Sequence, residues 1–156
     1  MSKKNRGKDF EGTFAKDWKR CFPNTFIYRL KDDVSGHYGT GKNPCDYICF
    51  PKSYLYMIEC KSCYGNTFNF GKLSQYESLV SYKDCYKTKP AVVLWFIDHG
   101  RVFYFPVQTI MKMKQDGCKS ININKLDGYY YIEVPSRKKI INLDSDYYCI
   151  IDREEC

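Results

Sequence analysis

The sequence predicts an α/β fold in which a mixed central β-sheet is flanked by helices, with elements in the order α-β-β-β-α-β-β-α. Two observations support this fold class. Segments whose apolar residues recur every three or four positions alternate along the chain with short apolar runs of strand type. The 156 residues, 44% of them hydrophobic, are also enough to bury a sizeable core. We therefore predict one domain over residues 1–156.

The first half of the chain is predicted to contain one helix and three strands. The helix spans residues 8–22, where four apolar side chains share one face. These side chains are Phe14, Ala15, Trp18 and Phe22. The strands cover residues 25–31, 45–50 and 54–60. Between the first two strands, residues 32–44 are polar and contain three glycines, which predicts a loop.

The second half begins with a predicted helix over residues 72–86, whose inner face carries Leu79, Tyr82 and Tyr86. The unbroken apolar run 91–97 is typical of a buried strand. After it we predict a turn, a strand, a short helix, a strand, and a final strand or closing helix. Their ranges are His99-Gly100, 101–105, 107–114, 129–134 and 147–152.

The charge permits a nucleic-acid partner without requiring one. The chain has a formal net charge of +7, and residues 1–78 carry 13 Lys and Arg against 8 Asp and Glu. Residues 1–7 are predicted to form a flexible basic arm, although a solvated terminus is an equal alternative. No apolar run is long enough for a membrane helix, and no secretory signal is visible. We expect a protein that is cytoplasmic and not secreted.

Nine cysteines are an odd number, so at least one of them cannot pair within the chain. Because no secretory signal is visible, we interpret them as free thiols in a reducing compartment. One spacing resembles a four-thiolate zinc site, with pairs at Cys45 and Cys49 and at Cys60 and Cys63. The paired cysteines lack the turn residues of zinc knuckles, and Cys60 lies in an apolar run. We therefore favour buried, unliganded thiols.

Polar residues interrupt three apolar segments. Glu11 lies within the apolar stripe of the first helix, where the alternative to function is an internal salt bridge. Glu59 and Lys61 share one face at the end of a strand, where the alternative is a structural ion pair. Asp46 begins a short strand, where the alternative is a turn residue. Together they predict three carboxylates and one ammonium around one pocket.

Such a set suits phosphodiester hydrolysis, which requires a cation to neutralise developing charge and an activated water. Carboxylates without His or Cys select Mg²⁺, with Mn²⁺ as a substitute. A neighbouring Lys orients the water or stabilises the charge that develops on the phosphate.

Several ordered motifs together resemble the PD-(D/E)XK nuclease superfamily, and within it the RecU-type Holliday junction resolvases. The opening Asn5-Arg6-Gly7-Lys8-Asp9-Phe10-Glu11 resembles the motif NRG-x-x-hydrophobic-E of that family. Asp46-Tyr47 and Glu59-Cys60-Lys61 resemble its D-Y and E-x-K motifs, although the "PD" position reads Pro44-Cys45-Asp46. Residues 70–75 and 118–121 resemble two later segments, so the likeness extends over residues 5–124.

The resemblance implies a restriction-endonuclease-like core and a Mg²⁺-dependent endodeoxyribonuclease that resolves four-way junctions in recombination and repair. Asp46 and Glu59 would ligate the metal, with the Cys60 carbonyl as a third oxygen. Lys61 would assist the water, and Glu11 would bind the metal through water or order the site. Contacts to branched DNA would come from Arg6, Lys8, His37, Lys42, Lys72 and Gln75. A homodimer without a small-molecule cofactor would present two sites to two strands.

The sequence departs from the family between its first strand and Asp46. Cellular members carry a long stalk there, whereas this chain has only residues 32–44. The short interval suggests a phage or mobile-element version, in a bacterial or phage-infected cytoplasm. Two alternatives stay open: a flap-, branch- or restriction-like endonuclease on the same core, and a non-catalytic DNA-binding module with structural carboxylates.

Overall fold

A computed structural model describes residues 6–31, 43–135 and 148–155. The helices are α1 (Arg6–Cys21), α2 (Tyr76–Ser81), α3 (Val107–Gln115) and α4 (Cys149–Glu155). The strands are β1 (Phe26–Arg29), β2 (Tyr47–Phe50), β3 (Leu55–Cys63), β4 (Thr67–Asn69), β5 (Thr88–Phe96), β6 (Arg101–Pro106), β7 (Ser120–Asn122) and β8 (Ile132–Val134). Two 3-10 helices cover Phe70–Lys72 and Ile97–His99.

Six strands form a mixed central sheet in the order β1-β2-β3-β5-β6-β8. Strands β3 and β5 run parallel, and all other neighbours in this sheet are antiparallel. Strands β4 and β7 form a separate two-stranded sheet. With β4 set aside, the first eight α-helices and strands follow the predicted order α-β-β-β-α-β-β-α, and β7, β8 and α4 come after them. The mixed sheet flanked by helices is confirmed.

Helices α1 and α4 pack on one face of the central sheet. Phe14 and Trp18 of α1 are fully buried, as their three- and four-residue spacing predicts. The Phe14 ring meets Tyr148, just before α4, edge-on at a centroid distance of 4.9 Å. Helix α1 thereby covers β2 and β3, where Tyr47, Cys49, Tyr56, Ile58 and Cys60 complete the same core.

The opposite face of the sheet packs against α2 and α3. Leu79 of α2 and Ile110 of α3 are fully buried against it. Their partners on the sheet are Met57, Val92, Leu94, Phe96, Phe103 and Phe105. The sheet therefore has apolar side chains on both faces, as the continuous apolar run of β5 predicts.

Helix α2 is shorter than predicted. Leu79 is buried as expected, but the helix ends at Ser81 and the chain turns through residues 82–87. Tyr82 and Tyr86 are therefore 41% and 88% exposed, so their placement on an inner face was wrong. Lys87 adopts a positive φ of 53°, the left-handed geometry of a turn, and directs the chain into β5.

Other boundaries also differ from the prediction. Strand β3 extends three residues further, to Cys63, and β5 begins at Thr88 because it pairs with β3 along its whole length. The hairpin turn is confirmed, with Gly100 in the left-handed region at φ 59°. Residues near 147–152 form a closing helix rather than a strand.

Eight cysteines of the described residues are free thiols. The two pairs considered for zinc are split between the faces of the sheet: Cys49 and Cys60 pack with α1, whereas Cys45 and Cys63 pack with the other core. No helix within the described ranges is long and apolar enough to cross a membrane.

Several predictions lie outside the described residues. They concern residues 1–5 of the arm predicted over residues 1–7, most of the interval 32–44 with His37 and Lys42, and residue 147 of the predicted range 147–152. The last two residues of the predicted arm, Arg6 and Gly7, instead begin α1.

Candidate active site

Asp46 and Glu59 face the same side of the central sheet from neighbouring strands. Asp46 directly precedes β2, and Glu59 lies within β3. In the antiparallel register of β2 and β3, Ile48 opposes Met57, so these two side chains share a face. Because strand side chains alternate, Asp46 and Glu59, each two residues further along, point to that face too.

The Asp46 carboxylate is anchored on the backbone of β3. Its Oδ2 accepts a hydrogen bond of 2.8 Å from the Cys60 N–H. Its own N–H donates to the Ile58 carbonyl at 3.0 Å, and its carbonyl accepts from the Leu30 N–H at 2.9 Å. Asp46 is thus held between the ends of β1 and β3. Since a strand residue directs its N–H and C=O to the same side, the Cys60 carbonyl also faces Asp46.

Glu59 is a buried carboxylate with one close cation. Its side chain is 1% exposed, and the Lys61 Nζ lies 2.7 Å from its Oε1. Apart from this ion pair, neither carboxylate oxygen receives a hydrogen bond from the part of the chain that the structure describes. A buried carboxylate is normally stabilised by several hydrogen bonds as well as by an ion pair. Among the described residues Glu59 has the ion pair alone, which is unusual for a residue with a purely structural role.

The electrostatics show an excess of negative charge at this place. The pKa of Glu59 is raised to about 7, first by burial and then by the Asp46 carboxylate, with a smaller contribution from Glu11. Lys61 opposes the increase but does not cancel it. Burial and the same three carboxylates also raise the pKa of the Cys60 thiol. A cation bound beside Asp46 and Glu59 would relieve this repulsion.

Glu11 lies on the α1 side of the sheet and is paired there. Its Oε2 is 2.9 Å from the Arg29 Nη2, and its backbone carbonyl accepts a 3.1 Å hydrogen bond from the Tyr47 hydroxyl. The salt-bridge alternative therefore describes its main contact. Glu11 is still close enough to raise the pKa of Glu59.

Arg29 was missed by the sequence reasoning, although a signal was present. Alternation along β1 puts Arg29 on the same face as Ile27, which packs against the α1 core. A cation on that face is a natural partner for a carboxylate of α1.

The predicted convergence of three carboxylates is only partly reproduced. Asp46, Glu59 and Lys61 come together, whereas Glu11 approaches from the other face and is bound to Arg29. Within residues 6–31, 43–135 and 148–155, no group of three or more His, Cys, Asp or Glu side chains is arranged to hold a metal ion. The oxygens that fit a cation are thus two carboxylates and one main-chain carbonyl.

The predicted DNA contacts that the structure describes lie at exposed positions or element ends. Arg6 begins α1, and its guanidinium lies 5.7 Å from the Tyr64 ring centroid. Lys8, two residues after Arg6 in α1, is exposed. Lys72 ends a 3-10 helix. Burial raises the pKa of the Cys63 thiol to about 11, and the charge of Lys72 opposes part of this rise. Gln75 precedes α2 and accepts a 2.8 Å hydrogen bond from the Ser74 hydroxyl.

Comparisons with known proteins give a likeness in structure but no match in sequence. No protein family described by a sequence profile matches the chain, and no curated protein matches it in sequence. The fold is similar to the 1.6 Å structure of Archaeoglobus fulgidus Hjc, a Holliday junction resolvase from an archaeal hyperthermophile. The TM-score is 0.49 at 21% identity, over 66% of this chain and 78% of the archaeal chain.

Proposed function

We propose that this chain is a divalent-metal-dependent DNA endonuclease that resolves four-way junctions. One observation carries the proposal: the buried Glu59–Lys61 ion pair lies beside an Asp46 carboxylate fixed on the same strand. The two carboxylates, Asp46 and Glu59, repel each other, so the arrangement destabilises the fold if its only role is structural. The same arrangement, with an ammonium beside it, is well suited to hold a cation and a phosphate.

Asp46, Glu59 and the Cys60 carbonyl would hold the metal. All three donors are oxygens, so Mg²⁺ fits best and Mn²⁺ is an acceptable substitute. The raised pKa of Glu59 is the observation that fits a cation here, because a positive charge would favour the ionised carboxylate. When bound, the metal supplies charge neutralisation at the phosphate and an acidified water.

Lys61 has the position of a phosphate-facing group. Its side chain is 24% exposed, while Glu59 holds its ammonium at 2.7 Å. The ammonium has three N–H donors, so it can donate a hydrogen bond to a scissile phosphate oxygen or to the attacking water while it stays paired with Glu59. Holding the donor in place before the reaction is what makes it effective.

Binding of the DNA backbone is assigned to cations around this site. Arg6, Lys8 and Lys72 are exposed in the structure, and His37 and Lys42 belong to the interval outside the described residues. Gln75 would reach the backbone from the start of α2. Glu11 would order the site through Arg29 rather than ligate the metal directly.

The finer identity rests on the motifs of the sequence. The combination of the Asn5–Glu11, Asp46-Tyr47 and Glu59–Lys61 motifs supports a RecU-type resolvase, acting as a homodimer on two strands. The short interval 32–44 supports a phage-type member, in a bacterial or phage-infected cytoplasm. The same short interval favours a second candidate, a flap- or branch-specific endonuclease.

Cleavage of defined DNA shapes tests the proposal. A labelled four-way junction, a flap and a blunt duplex are incubated with the protein in Mg²⁺ and in EDTA. We expect paired nicks near the branch point of the junction, in Mg²⁺ alone. Cleavage of the flap only would establish the second candidate, and binding without cleavage would exclude both nucleases.

A further inference from the structure

An exposed aromatic patch lies on the edge of the central sheet. Phe26 and Tyr28 of the edge strand β1 are 56% and 53% exposed, and Phe50 of β2 is 44% exposed. Phe26 opposes Phe50 in the antiparallel register, so the three rings stand on one face. Large exposed apolar side chains grouped in this way indicate a binding surface.

The patch is continuous with the candidate active site. Tyr28 opposes Ile48, and Ile48 opposes Met57, so these residues form a row across three strands on one face. Asp46 and Glu59 point to the same face, each two residues further along its strand. At roughly 3.4 Å per residue, the carboxylates lie about 7 Å along the strands from this row.

The two rings of β1 have the arrangement of a stacking platform. Their planes are inclined by only 12°, and their centroids are 6.4 Å apart. This separation is close to two stacking distances of about 3.4 Å each, which is the spacing of two rings with one base between them. An unpaired base fits this spacing, and base–aromatic stacking requires no particular sequence.

The charge of the chain favours a nucleic acid over an apolar protein partner. By the alternation of β3, Lys61 points to the same face of the sheet as the patch, and its side chain is 24% exposed. The exposed Lys31 follows the end of β1. Residues 1–78 carry 13 Lys and Arg against 8 Asp and Glu, and the chain as a whole has a net charge of +7. Exposed aromatic rings in a positively charged setting are typical of surfaces that bind single strands.

We propose that Phe26 and Tyr28 stack on unpaired bases of the DNA, beside the strand that is cut. The inference rests on the proposed function and narrows its substrate class. The base faces of a duplex are already stacked on each other, so the platform requires unpaired nucleotides, either in a single strand or at an opened branch point. The rings of Phe26 and Tyr28 would hold a branch point about 7 Å along the strands from Asp46 and Glu59.

The test measures stacking in EDTA, where cleavage is blocked. The probes are a fluorescent 12-nucleotide oligothymidine, a four-way junction with 2-aminopurine at the branch, and a blunt duplex. The protein is compared with the double variant Phe26→Leu and Tyr28→Leu, which keeps apolar bulk at both positions. The conservative variant Tyr28→Phe and the variant Tyr86→Ala, which removes an exposed ring elsewhere, serve as controls.

We expect the double leucine variant to bind the oligothymidine about tenfold more weakly and to lose the quenching of 2-aminopurine. Its affinity for the duplex should stay within about twofold. Both controls should behave like the parent. Unchanged quenching, or an equal loss on duplex and single strand, would overturn the inference.

Two further outcomes separate this inference from its premise. If the double variant loses its dimeric mass in light scattering while quenching persists, the patch is an interface between copies and the inference is wrong. If the parent cuts junctions but shows no stacking, only the inference fails. If the parent binds none of the three DNA probes, the proposed function fails with it.

Discussion

At the scale of single residues, the Glu59 carboxyl is the group on which the proposed chemistry depends. It is buried beside Asp46, and its pKa of about 7 is far above its ordinary value of 4.5. The metal-free fold therefore carries a carboxyl that resists ionisation at neutral pH. Lys61 offsets part of this cost, and a bound cation would offset more.

The stability of the metal-free protein should decrease as the pH rises from about 4.5 to about 7. In this window the folded state holds a proton on Glu59 that the unfolded state has released, so raising the pH favours unfolding by up to about 1.4 kcal/mol per unit. Glu59→Gln cannot ionise and should be the more stable protein at pH 8. Thermal unfolding in EDTA at pH 5 and pH 8 measures this.

We expect a melting temperature at least about 2–4 °C higher for Glu59→Gln than for the parent at pH 8, and a smaller difference at pH 5. Glu77→Gln, at an exposed carboxylate of α2, is the control and should show no such pH dependence. A difference of equal size at both pH values would show that ionisation of Glu59 is not the cause. Added Mg²⁺ should stabilise the parent at pH 8 but not the variant.

Lys61→Met should leave binding intact and slow cleavage. The substitution keeps the aliphatic stem but removes the ammonium that lies 2.7 Å from Glu59. Loss of a positioned charge donor costs about 100-fold or more in rate. Single-turnover cleavage of a junction, with binding measured separately in EDTA, checks this. The control is Lys83→Met, at a cation paired with the exposed Asp84, which should cut at the parent rate. If Lys61→Met also cuts at the parent rate, Lys61 is not part of the site.

At the scale of elements, apolar periodicity predicted the helices and strands that have a local pattern. It missed the short strands that form only by pairing with a distant segment of the chain. Helix α1 and the β5–β6 hairpin follow from local apolar spacing and from one turn at Gly100. Strands β4 and β7 have three residues each and exist through pairing across more than 50 positions. Such pairing leaves no local pattern.

The end of α2 was missed for another physical reason. Tyr82 and Tyr86 extend the helical spacing of Leu79, but tyrosine tolerates a solvent-facing position because it is amphipathic. The turn before β5 therefore ends the helix without exposing a purely apolar residue.

The first turn of α1 should contribute to DNA binding through charge. We expect the double variant Arg6→Gln and Lys8→Gln to weaken binding to every DNA shape and to lower the salt slope of log K by about two, one for each lost phosphate contact. Lys16→Gln with Lys19→Gln removes the same charge from the other half of the helix, roughly 15 Å away. These exposed residues should matter less. Equal slopes for the two double variants would remove the start of α1 from the DNA footprint.

At the scale of the whole molecule, the sheet brings the site together. Strands β1, β2 and β3 align Leu30, Asp46 and Glu59 in one row although they are far apart in sequence. Strand alternation predicted that Glu59 and Lys61 share a face, and the structure agrees. The pairing of Glu11 with Arg29 could not be predicted, because it depends on how α1 lies across the end of β1.

Two cores on opposite faces fix the sheet on which this site is built. Helices α1 and α4 pack on one face, and α2 and α3 pack on the other. The candidate site faces the α2 and α3 side, near the edge where Phe26 and Tyr28 are exposed. Catalysis and recognition of branched DNA can thus share one surface of the molecule.

Single-turnover cleavage of a four-way junction by Asp46→Asn and Glu59→Gln tests the central claim most directly. Both variants should bind the junction at least as tightly as the parent, because each removes a negative charge that repels phosphate. Both should cut it at least about 100-fold more slowly in Mg²⁺. Asp84→Asn, which neutralises an exposed carboxylate, should cut at the parent rate. Near-normal turnover by either site variant would contradict the assignment of Asp46 and Glu59 as the cleavage site.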